Sequence, residues 1–198
     1  MSLLSPEDRS SLLRLARRAV TLAAHDRPLH AVEADSASAA LQAPGAAFVT
    51  LTRGGSLRGC IGGLEARQSL AADVCEHAYA AAREDPRFEP VRPDELETLH
   101  IEVSRLGLPT PLDVPPEQRV DALRPGVDGV ILRRGMLRAT FLPQVWEKVR
   151  DPLEFLEMLC DKGGLPRGAW RQGDVEMLVY PVESFAEAAG DDAPSNAG

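Results

Sequence analysis

The sequence has few of the features that mark the commonest specialised protein classes. It contains two lysines, three cysteines with no C-x-x-C spacing, and no stretch of about 18 apolar residues. These shortages argue against a disulfide scaffold, a cysteine-based zinc site and a membrane-spanning helix. The first residues, Ser2–Arg9, carry acids where a signal peptide needs basic and apolar residues. We therefore expect a soluble cytoplasmic protein.

The charge balance limits the partners of the chain. Among 198 residues, 22 are Lys or Arg and 30 are Asp or Glu, which gives a formal net charge of −8. Nucleic-acid backbones bind to basic surfaces, so this acidic chain is a poor candidate for broad nucleic-acid binding. Hydrophobic residues make up 44% of the sequence, which is ordinary for a chain that buries a core. No P-loop or Rossmann glycine spacing is present, and the sequence identifies no cofactor.

Periodicity predicts short strands joined by hairpins and interspersed with helices. Ser5-Pro6-Glu7-Asp8 is typical of a helix start, and the apolar residues of the following stretch recur at helical spacing, with Arg14, Arg17 and Arg18 on a solvated face. Further predicted elements are strands at 47–52 and 57–61, a helix at 70–83, a strand at 99–103, a connector at 109–116, a hairpin at 130–132 and 137–141, helices from Pro143 and Pro152, and a last strand at 175–182. This order indicates an α+β fold with a mainly antiparallel sheet and flanking helices.

The first hairpin allows two registers. A two-residue turn at Gly54-Gly55 would pair Leu51 with Arg58 and mix polar and apolar side chains on one face. A three-residue loop with Gly55 in the left-handed conformation would instead pair Leu51 with Leu57. It would place Val49 and Ile61 on one face, and Phe48, Thr50, Arg58 and Cys60 on the other. We predict the second register, because a slip of one residue inverts every side chain.

The segment from Arg58 to Gly63 has glycines on both sides of a cysteine. Gly59 and Gly62 forfeit side-chain packing unless a backbone or a ligand approaches closely there. Arg58 would favour the thiolate of Cys60, which matters because an unperturbed thiol is only slightly ionised at neutral pH. In the other interpretation, Cys60 is a small buried hydrophobic residue and the glycines are bulge residues. Spacing alone leaves both interpretations open.

The stretch Leu57-Arg58-Gly59-Cys60-Ile61-Gly62 resembles the hallmark of the AMMECR-type domain family, called AmmeMemoRadiSam system protein A in prokaryotes. Other stretches resemble the family in the same order and extend the resemblance to roughly residues 10–185. They are 45–51, 82–88, 101–104, 123–129, 139–146 and 155–165. The resemblance implies an α+β fold with a larger and a smaller lobe and a cleft between them. It implies no established biochemical activity.

The resemblance also implies partners and a domain boundary. Prokaryotic members resemble partners of a radical SAM protein and a Memo-like protein. This chain lacks the C-x-x-x-C-x-x-C spacing of an iron–sulfur cluster, so it is not the radical SAM component. We expect a single AMMECR-type domain with two lobes over residues 1–186. A disordered acidic tail, rich in Ala, Gly, Asp, Pro and Ser, is predicted over 187–198.

A candidate site can be assembled around the thiol. Cys60 is the candidate nucleophile or substrate-attachment point, Arg58 its cation, and Glu102 a candidate general base. Asp85 and Arg87 are predicted to ion-pair across a tight turn and to shape the cleft floor. The remaining predicted binding residues are Gly59, Gly62, Ser104 (which shares a strand face with Glu102), Gln144 and Lys162. The four histidines show no metal-binding spacing with the cysteines, so no metal site is predicted.

Two functions follow from these residues. The leading prediction is a cytoplasmic enzyme, or enzyme component, that uses the cleft cysteine Cys60. The rival is a non-enzymatic adaptor whose cleft receives a peptide, a small ligand or the radical SAM and Memo-like partners. The rival gains weight because no complete set of acid, base and nucleophile can be read from the sequence.

Overall fold

The computed structural model describes residues 3–29 and 38–188. The helices are α1 (Pro6–Ala24), α2 (Ala39–Gln42), α3 (Leu70–Arg83), α4 (Arg119–Ala122) and α5 (Pro152–Lys162). The strands are β1 (Pro44–Gly45), β2 (Ala47–Arg53), β3 (Ser56–Gly62), β4 (Gln68–Ser69), β5 (Leu99–Leu106), β6 (Thr110–Pro111), β7 (Gly129–Arg134), β8 (Leu137–Phe141), β9 (Glu176–Tyr180) and β10 (Val182–Ala186). Most of the predicted tail, residues 189–198, lies outside the described residues. The fold is α+β with antiparallel sheets flanked by helices, so the predicted fold class is confirmed.

The chain divides into two compact units. Of the described residues, the first unit comprises 3–29, 38–106 and 183–188, and the second unit comprises 107–182. The first unit contains a four-stranded sheet of order β10-β5-β2-β3 and the small pair β1–β4. The second unit contains a four-stranded sheet of order β6-β9-β7-β8. The cleft implied by the resemblance stays a prediction.

The helix α1 begins where the sequence predicts. Ser5 accepts a hydrogen bond from the Asp8 amide at 3.1 Å, and Pro6 occupies the first helical position. The apolar stripe from Leu12 to Ala23 is buried. The prediction of a solvated arginine face is wrong for Arg17, which donates to the Glu187 carboxylate and to two backbone carbonyls. Arg17 therefore attaches α1 to Glu187 and to the backbone at Leu96 and Leu99.

The core of the first unit lies between one face of its sheet and two helices. Val49, Leu51, Ile101 and Val103 are fully buried on that face. The helix α3 packs against β2 and β3 and also against α1. Its start is fixed by Ser69, whose hydroxyl accepts a hydrogen bond from the Ala72 amide. The apolar face of each element therefore meets its neighbours, as the periodicity predicts.

The first hairpin has a register that neither sequence alternative contained. The turn has two residues, Gly54 and Gly55, both with positive φ, and it pairs Thr52 with Leu57. A bulge then inserts Arg58, so that Leu51 pairs with Gly59. The predicted pairing of Leu51 with Leu57 is wrong, because a bulge rather than a longer loop restores the alternation.

Beyond the bulge, the predicted faces of the hairpin are confirmed. Val49 lies opposite Ile61 on the core side, and Thr50 lies opposite Cys60 on the other side. One inserted residue therefore corrects the mixed faces that a plain two-residue turn would give.

The second unit has its own core around an aromatic stack. The Trp146 and Phe155 rings lie parallel with centroids 3.7 Å apart, and α5 supplies the buried Leu156 and Leu159. The predicted single last strand is wrong: Pro181 separates β9 from β10, which belong to different sheets. The predicted connector also contains the short strand β6, which pairs with β9.

A membrane-spanning helix is not found in either described range. No helix of residues 3–29 or 38–188 combines the length and the apolar surface that crossing a bilayer requires.

Candidate functional site

A row of three side chains crosses the sheet of the first unit on the face opposite the core. Thr50 on β2 lies directly between Cys60 on β3 and Glu102 on β5. We call these three residues the thiol row. The Thr50 hydroxyl donates a hydrogen bond to the Cys60 Sγ at 3.4 Å. The structure therefore brings Cys60 and Glu102 onto one face, with a hydroxyl between them.

The separation within the thiol row limits its chemistry. Adjacent strands lie about 4.8 Å apart, so the backbones of Cys60 and Glu102 are about 10 Å apart across β2. The two side chains are therefore separated by the width of β2 on this face. The role predicted for Glu102 as general base stays a prediction.

A second polar group continues the same face. Phe48 pairs with Gly62 on one side and with Ser104 on the other. The Ser104 hydroxyl lies 3.0 Å from the Ser184 hydroxyl and donates to a Glu102 oxygen at 3.4 Å. Ser104 is buried, whereas Cys60, Thr50 and Glu102 are half-buried. Polar groups on this face thus hold one another in place.

The backbone of Cys60 is bound from outside the sheet by a charged pair. Asp85 accepts a hydrogen bond from the Cys60 amide at 2.9 Å, and Arg87 donates to the Cys60 carbonyl at 3.2 Å. Arg87 also donates to Asp85 through Nε and Nη2, at 2.9 and 2.7 Å. Because β3 is the last strand of its sheet, these contacts satisfy groups that a further strand would otherwise bind. We call Asp85 and Arg87 the edge clamp.

The edge clamp is a strongly ionised pair. The Arg87 guanidinium holds the pKa of the nearly buried Asp85 carboxyl well below its usual range. The pKa of Arg87 is raised, chiefly by its hydrogen bonds to Asp85 and further by the Cys60 side chain. The predicted ion pair is therefore present, and it places a cation at the Cys60 backbone carbonyl. Whether it shapes a cleft floor stays a prediction.

The hydrogen bonds of the Arg58 side chain go to groups other than the Cys60 thiol. Its four hydrogen bonds go to both oxygens of Glu95 and to the carbonyls of Glu89 and Pro90. Glu95 is buried, and the hydrogen bond from Arg58 lowers the pKa of Glu95 to about 2. The structure pairs Arg58 with Glu95. The predicted effect of Arg58 on the thiol stays a prediction.

Close packing accounts for the two glycines beside Cys60. A Cβ at Gly59 would lie 2.2 Å from the Ala81 carbonyl oxygen on α3. A Cβ at Gly62 would lie 2.3 Å from the ring of Phe48. Of the two reasons that the sequence offered for these glycines, close approach of protein atoms is the one observed. Their predicted contact with a ligand stays a prediction.

The three cysteines differ in accessibility. Cys75 and Cys160 are buried, whereas Cys60 is half-buried. Burial raises the pKa of Cys75 to about 11 and also raises the pKa of Cys160. A thiol must ionise to act as a nucleophile, so Cys60 is the best placed of the three.

The predicted binding residues Gln144 and Lys162 belong to the second unit. Gln144 is half-buried in a 3-10 helix that spans Pro143–Glu147. Lys162 donates to the Thr140 carbonyl at 2.9 Å and lies over the Phe141 ring, 5.1 Å from its centroid. These contacts attach the end of α5 to β8.

Sequence reasoning missed Thr50 and Glu95 as site residues. The signal for Thr50 was available, because alternation along β2 already placed it on the Cys60 face. Glu95 gave no signal, since it lies 37 residues from Arg58 in the chain. Within the described ranges, no group of three or more His, Cys, Asp or Glu side chains is arranged to hold a metal ion.

Comparison with known proteins identifies the family. A protein of Thermofilum pendens is 38% identical over 94% of this chain and 93% of its own length. A protein of Methanothermobacter thermautotrophicus is 42% identical over 71% of this chain and 74% of its own length. The crystal structure of an uncharacterized Pyrococcus horikoshii protein superposes with a TM-score of 0.83 at 33% identity, covering 93% of both chains. The family model named AMMECR1 matches residues 13–185, and the chain therefore belongs to the AMMECR1 family.

Proposed function

We propose that this protein is a cytoplasmic enzyme or enzyme component in which Cys60 acts as a nucleophile or a substrate-attachment point. One observation carries the proposal. The Arg87 guanidinium, paired with the buried Asp85, donates to the Cys60 carbonyl while Asp85 accepts from the Cys60 amide, so a cation is fixed at the residue that carries the thiol. A fixed cation beside a thiol favours the thiolate, which is the reactive form.

The proposed chemistry assigns a role to each residue of the thiol row. The Cys60 thiolate attacks an electrophilic carbon of the substrate, so that a carbon–sulfur bond forms as the bond to the leaving group breaks. Arg87 stabilises the thiolate before attack, and the Thr50 hydroxyl fixes the direction of the sulfur through its hydrogen bond. Glu102, on the same face of the sheet, is the proposed proton donor to the leaving group. The rigid sheet holds these groups in place, as covalent catalysis requires.

The proposed partners are a radical SAM protein and a Memo-like protein. The chain belongs to the AMMECR1 family, and the support for this proposal is the resemblance of the hallmark segment to the prokaryotic AmmeMemoRadiSam system protein A, whose members resemble partners of such proteins. In that arrangement, this chain would present Cys60 to a substrate that a partner supplies or consumes.

A second candidate is a non-enzymatic binding or adaptor module. The observation that favours it is the separation of Glu102 from Cys60 by a whole strand. In this case, the half-buried polar face would recognise a ligand or a partner segment without forming a covalent bond.

Alkylation of the native protein distinguishes the two candidates. Iodoacetamide labelling at neutral pH, followed by peptide mass spectrometry, measures the rate at each cysteine. We expect Cys60 to react at least about tenfold faster than Cys75 and Cys160, because their burial opposes ionisation. In urea, the three cysteines should react at similar rates, which controls for intrinsic differences. A native Cys60 no faster than the other two would contradict the nucleophile and favour the binding module.

A further inference from the structure

A groove of about 470 Å³ lies beside the helix α1 in the first unit. Its walls are formed by one side of α1 and by the end of the last described segment: Ser10, Leu13, Arg14, Arg17, Arg18, Glu187 and Ala188. We call it the α1 groove. Its walls hold three arginines and one carboxylate, a formal charge of +2, although the whole chain carries −8. A local positive surface of this kind attracts anionic partners.

One of the three arginines serves the protein itself. Arg17 donates to the Glu187 carboxylate through Nε and Nη2, and to the carbonyls of Leu96 and Leu99. These contacts hold the wall of the groove together. The arginines that a partner can meet are therefore the two that are exposed in the wall, Arg14 and Arg18.

Neutral groups orient the guanidinium of Arg14. Its Nη1 donates to the Ser10 hydroxyl and its Nη2 to the Ser11 hydroxyl, both at 2.8 Å. No carboxylate of residues 3–29 or 38–188 pairs with it, whereas most described arginines have such a pair. The hydroxyls restrict the side chain without cancelling its charge. Part of the entropy cost of binding an anion is therefore met before the anion arrives.

The spacing of the two exposed arginines indicates the kind of anion. Arg14 and Arg18 are four residues apart on α1, so they lie on one side of the helix with a rise of about 6 Å between them. In an extended segment, side chains on one side repeat every two residues, at about 6.7 Å. Two acidic residues separated by one residue match this spacing. Leu13 and Ala188 add apolar surface to the same walls, which suits a peptide better than a free ion.

We propose that the α1 groove docks an extended acidic segment of a partner protein, whose carboxylates at alternate positions pair with Arg14 and Arg18. The acids that follow Ala188 in the sequence, Asp191 and Asp192, are adjacent and lack this spacing, because neighbouring side chains of an extended segment point to opposite sides. The groove and the thiol row lie on opposite sides of the sheet, and the inference does not depend on the function proposed for the thiol.

Titration with matched peptides tests the groove on the full chain. The probe is acetylated and amidated Ala-Glu-Ala-Glu-Ala, and the backbone amide signals of Leu13 and Ala188 are followed by ¹⁵N NMR. We expect both signals to shift saturably. The neutral peptide Ala-Gln-Ala-Gln-Ala should bind at least about fivefold more weakly, as expected for the loss of two exposed ion pairs. The absence of a shift, or equal affinities for these two peptides, would overturn the proposal.

Two further probes test the spacing and the peptide. Ala-Ala-Glu-Glu-Ala has the same composition and charge as the first probe, but its acids are adjacent. It should bind at least about twofold more weakly, and equal binding would refute the assigned spacing. Inorganic phosphate should shift the two signals less than the probe at equal concentration. An equal or larger effect of phosphate would indicate a simple anion site and refute the peptide.

Substitutions then identify the cations. Arg14→Gln and Arg18→Gln should each weaken binding of the probe about two- to fivefold. Glutamine has nearly the helix propensity of arginine, so both variants should fold. Arg27→Gln removes an exposed arginine outside the groove and should change the affinity by less than about 1.5-fold. Equal losses in all three variants would reflect net charge alone and refute the site.

A last variant separates a partner from the chain's own acids. Asp191→Asn combined with Asp192→Asn should leave the affinity for the probe unchanged within about twofold. A gain of about fivefold or more would show that these two acids compete for the groove, and would overturn the assignment to a separate partner.

Discussion

The two long hairpins of this chain are built alike and differ by one inserted residue. The hairpin β2–β3 turns through Gly54 and Gly55, and β7–β8 turns through Gly135 and Met136. Pairing along β7–β8 continues without a register shift from the turn to Val130 and Phe141. Pairing along β2–β3 shifts at the bulge, and this shift leads Arg58 to Glu95 and keeps the thiol on the polar face.

The outer edges of the two hairpins are protected in a similar way, but the residues that are protected differ. Both β3 and β8 are terminal strands of their sheets, and charged side chains bind the backbone of each. Lys162 does so at Thr140 of β8, and the edge clamp does so at Cys60 of β3. Both edges are thus protected by charged side chains, and they differ in that the residue bound on β3 carries a thiol.

The largest difference between the hairpins should appear on replacing one glycine in each. Gly59→Ala puts a Cβ 2.2 Å from a backbone oxygen, which cannot move away without shifting α3. We expect about 3 kcal/mol of destabilisation. Gly135→Ala has open space around the added carbon and should lose only about 1 kcal/mol, owing to its φ of +58°.

Urea unfolding followed by circular dichroism measures both variants. Tryptophan fluorescence is unsuitable for the first hairpin, since Trp146 and Trp170 both lie in the second unit. Equal losses in the free energy of unfolding of the two variants would show that β3 packs less tightly against α3 than described.

Acid should weaken the first hairpin through its buried carboxyls. The folded-state pKa of Glu95 is about 2, below the ordinary value of 4.5, so its ionised form stabilises the fold above the ordinary pKa. That stability is lost as the pH falls from about 5 towards 2, and Asp85 acts in the same direction. In Glu95→Gln, the free energy of unfolding should fall by roughly 2 to 3 kcal/mol less than in the unmodified protein over this pH range.

The second hairpin supplies the control for the acid effect. Glu176 forms an exposed ion pair with Arg133 of β7. Glu176→Gln should alter the free energy of unfolding by less than about 1 kcal/mol. Urea titrations at several pH values between about 2 and 7 compare the two variants. An unchanged acid dependence in Glu95→Gln would contradict the assigned role of this carboxyl.

These contrasts explain what could be predicted from the sequence. Alternation along a strand is a local property, and it correctly placed Thr50 with Cys60 and Glu102 with Ser104. That Glu102 lies on the same face as Cys60 follows from the pairing of β5 with β2. The Asp85–Arg87 pair was also predictable, because its two members are separated by a single proline. The bulge was not, since an inserted residue is fixed by how β3 meets both β2 and α3. Arg58 was therefore assigned to the thiol, whereas its partner Glu95 is distant in the chain.

A smaller effect is expected from removing a hydroxyl in each hairpin. Thr50→Val preserves the shape of the side chain but removes the hydrogen bond to the Cys60 Sγ. The alkylation rate of Cys60 should fall about two- to fivefold, in line with one modest hydrogen bond. Thr140→Val in the second hairpin should leave the rate unchanged. A similar fall in both variants, measured by iodoacetamide labelling, would indicate a general change in stability instead.

The smallest effect concerns the edge of the second hairpin. Lys162→Met removes the hydrogen bond to the Thr140 carbonyl and the contact with the Phe141 ring. Because this lysine is exposed, the loss should be about 0.5 to 1 kcal/mol. Lys148→Met, at the other lysine of the chain, controls for the lost charge. Urea unfolding followed by tryptophan fluorescence reports on this unit. Equal free energies of unfolding for the two variants would contradict the proposed role of Lys162 at the sheet edge.

The most direct test of the central claim is the alkylation rate of Cys60 as a function of pH in two arginine variants. The proposed cation for the thiol is Arg87, which donates to the Cys60 carbonyl, although Arg58 is closer in sequence. At about pH 7, Arg87→Gln should slow the reaction about tenfold, and Arg87→Lys should recover most of the rate by restoring the charge. Arg58→Gln should change the rate less than about twofold. A slow Arg58→Gln variant beside an unaffected Arg87→Gln variant would contradict the account.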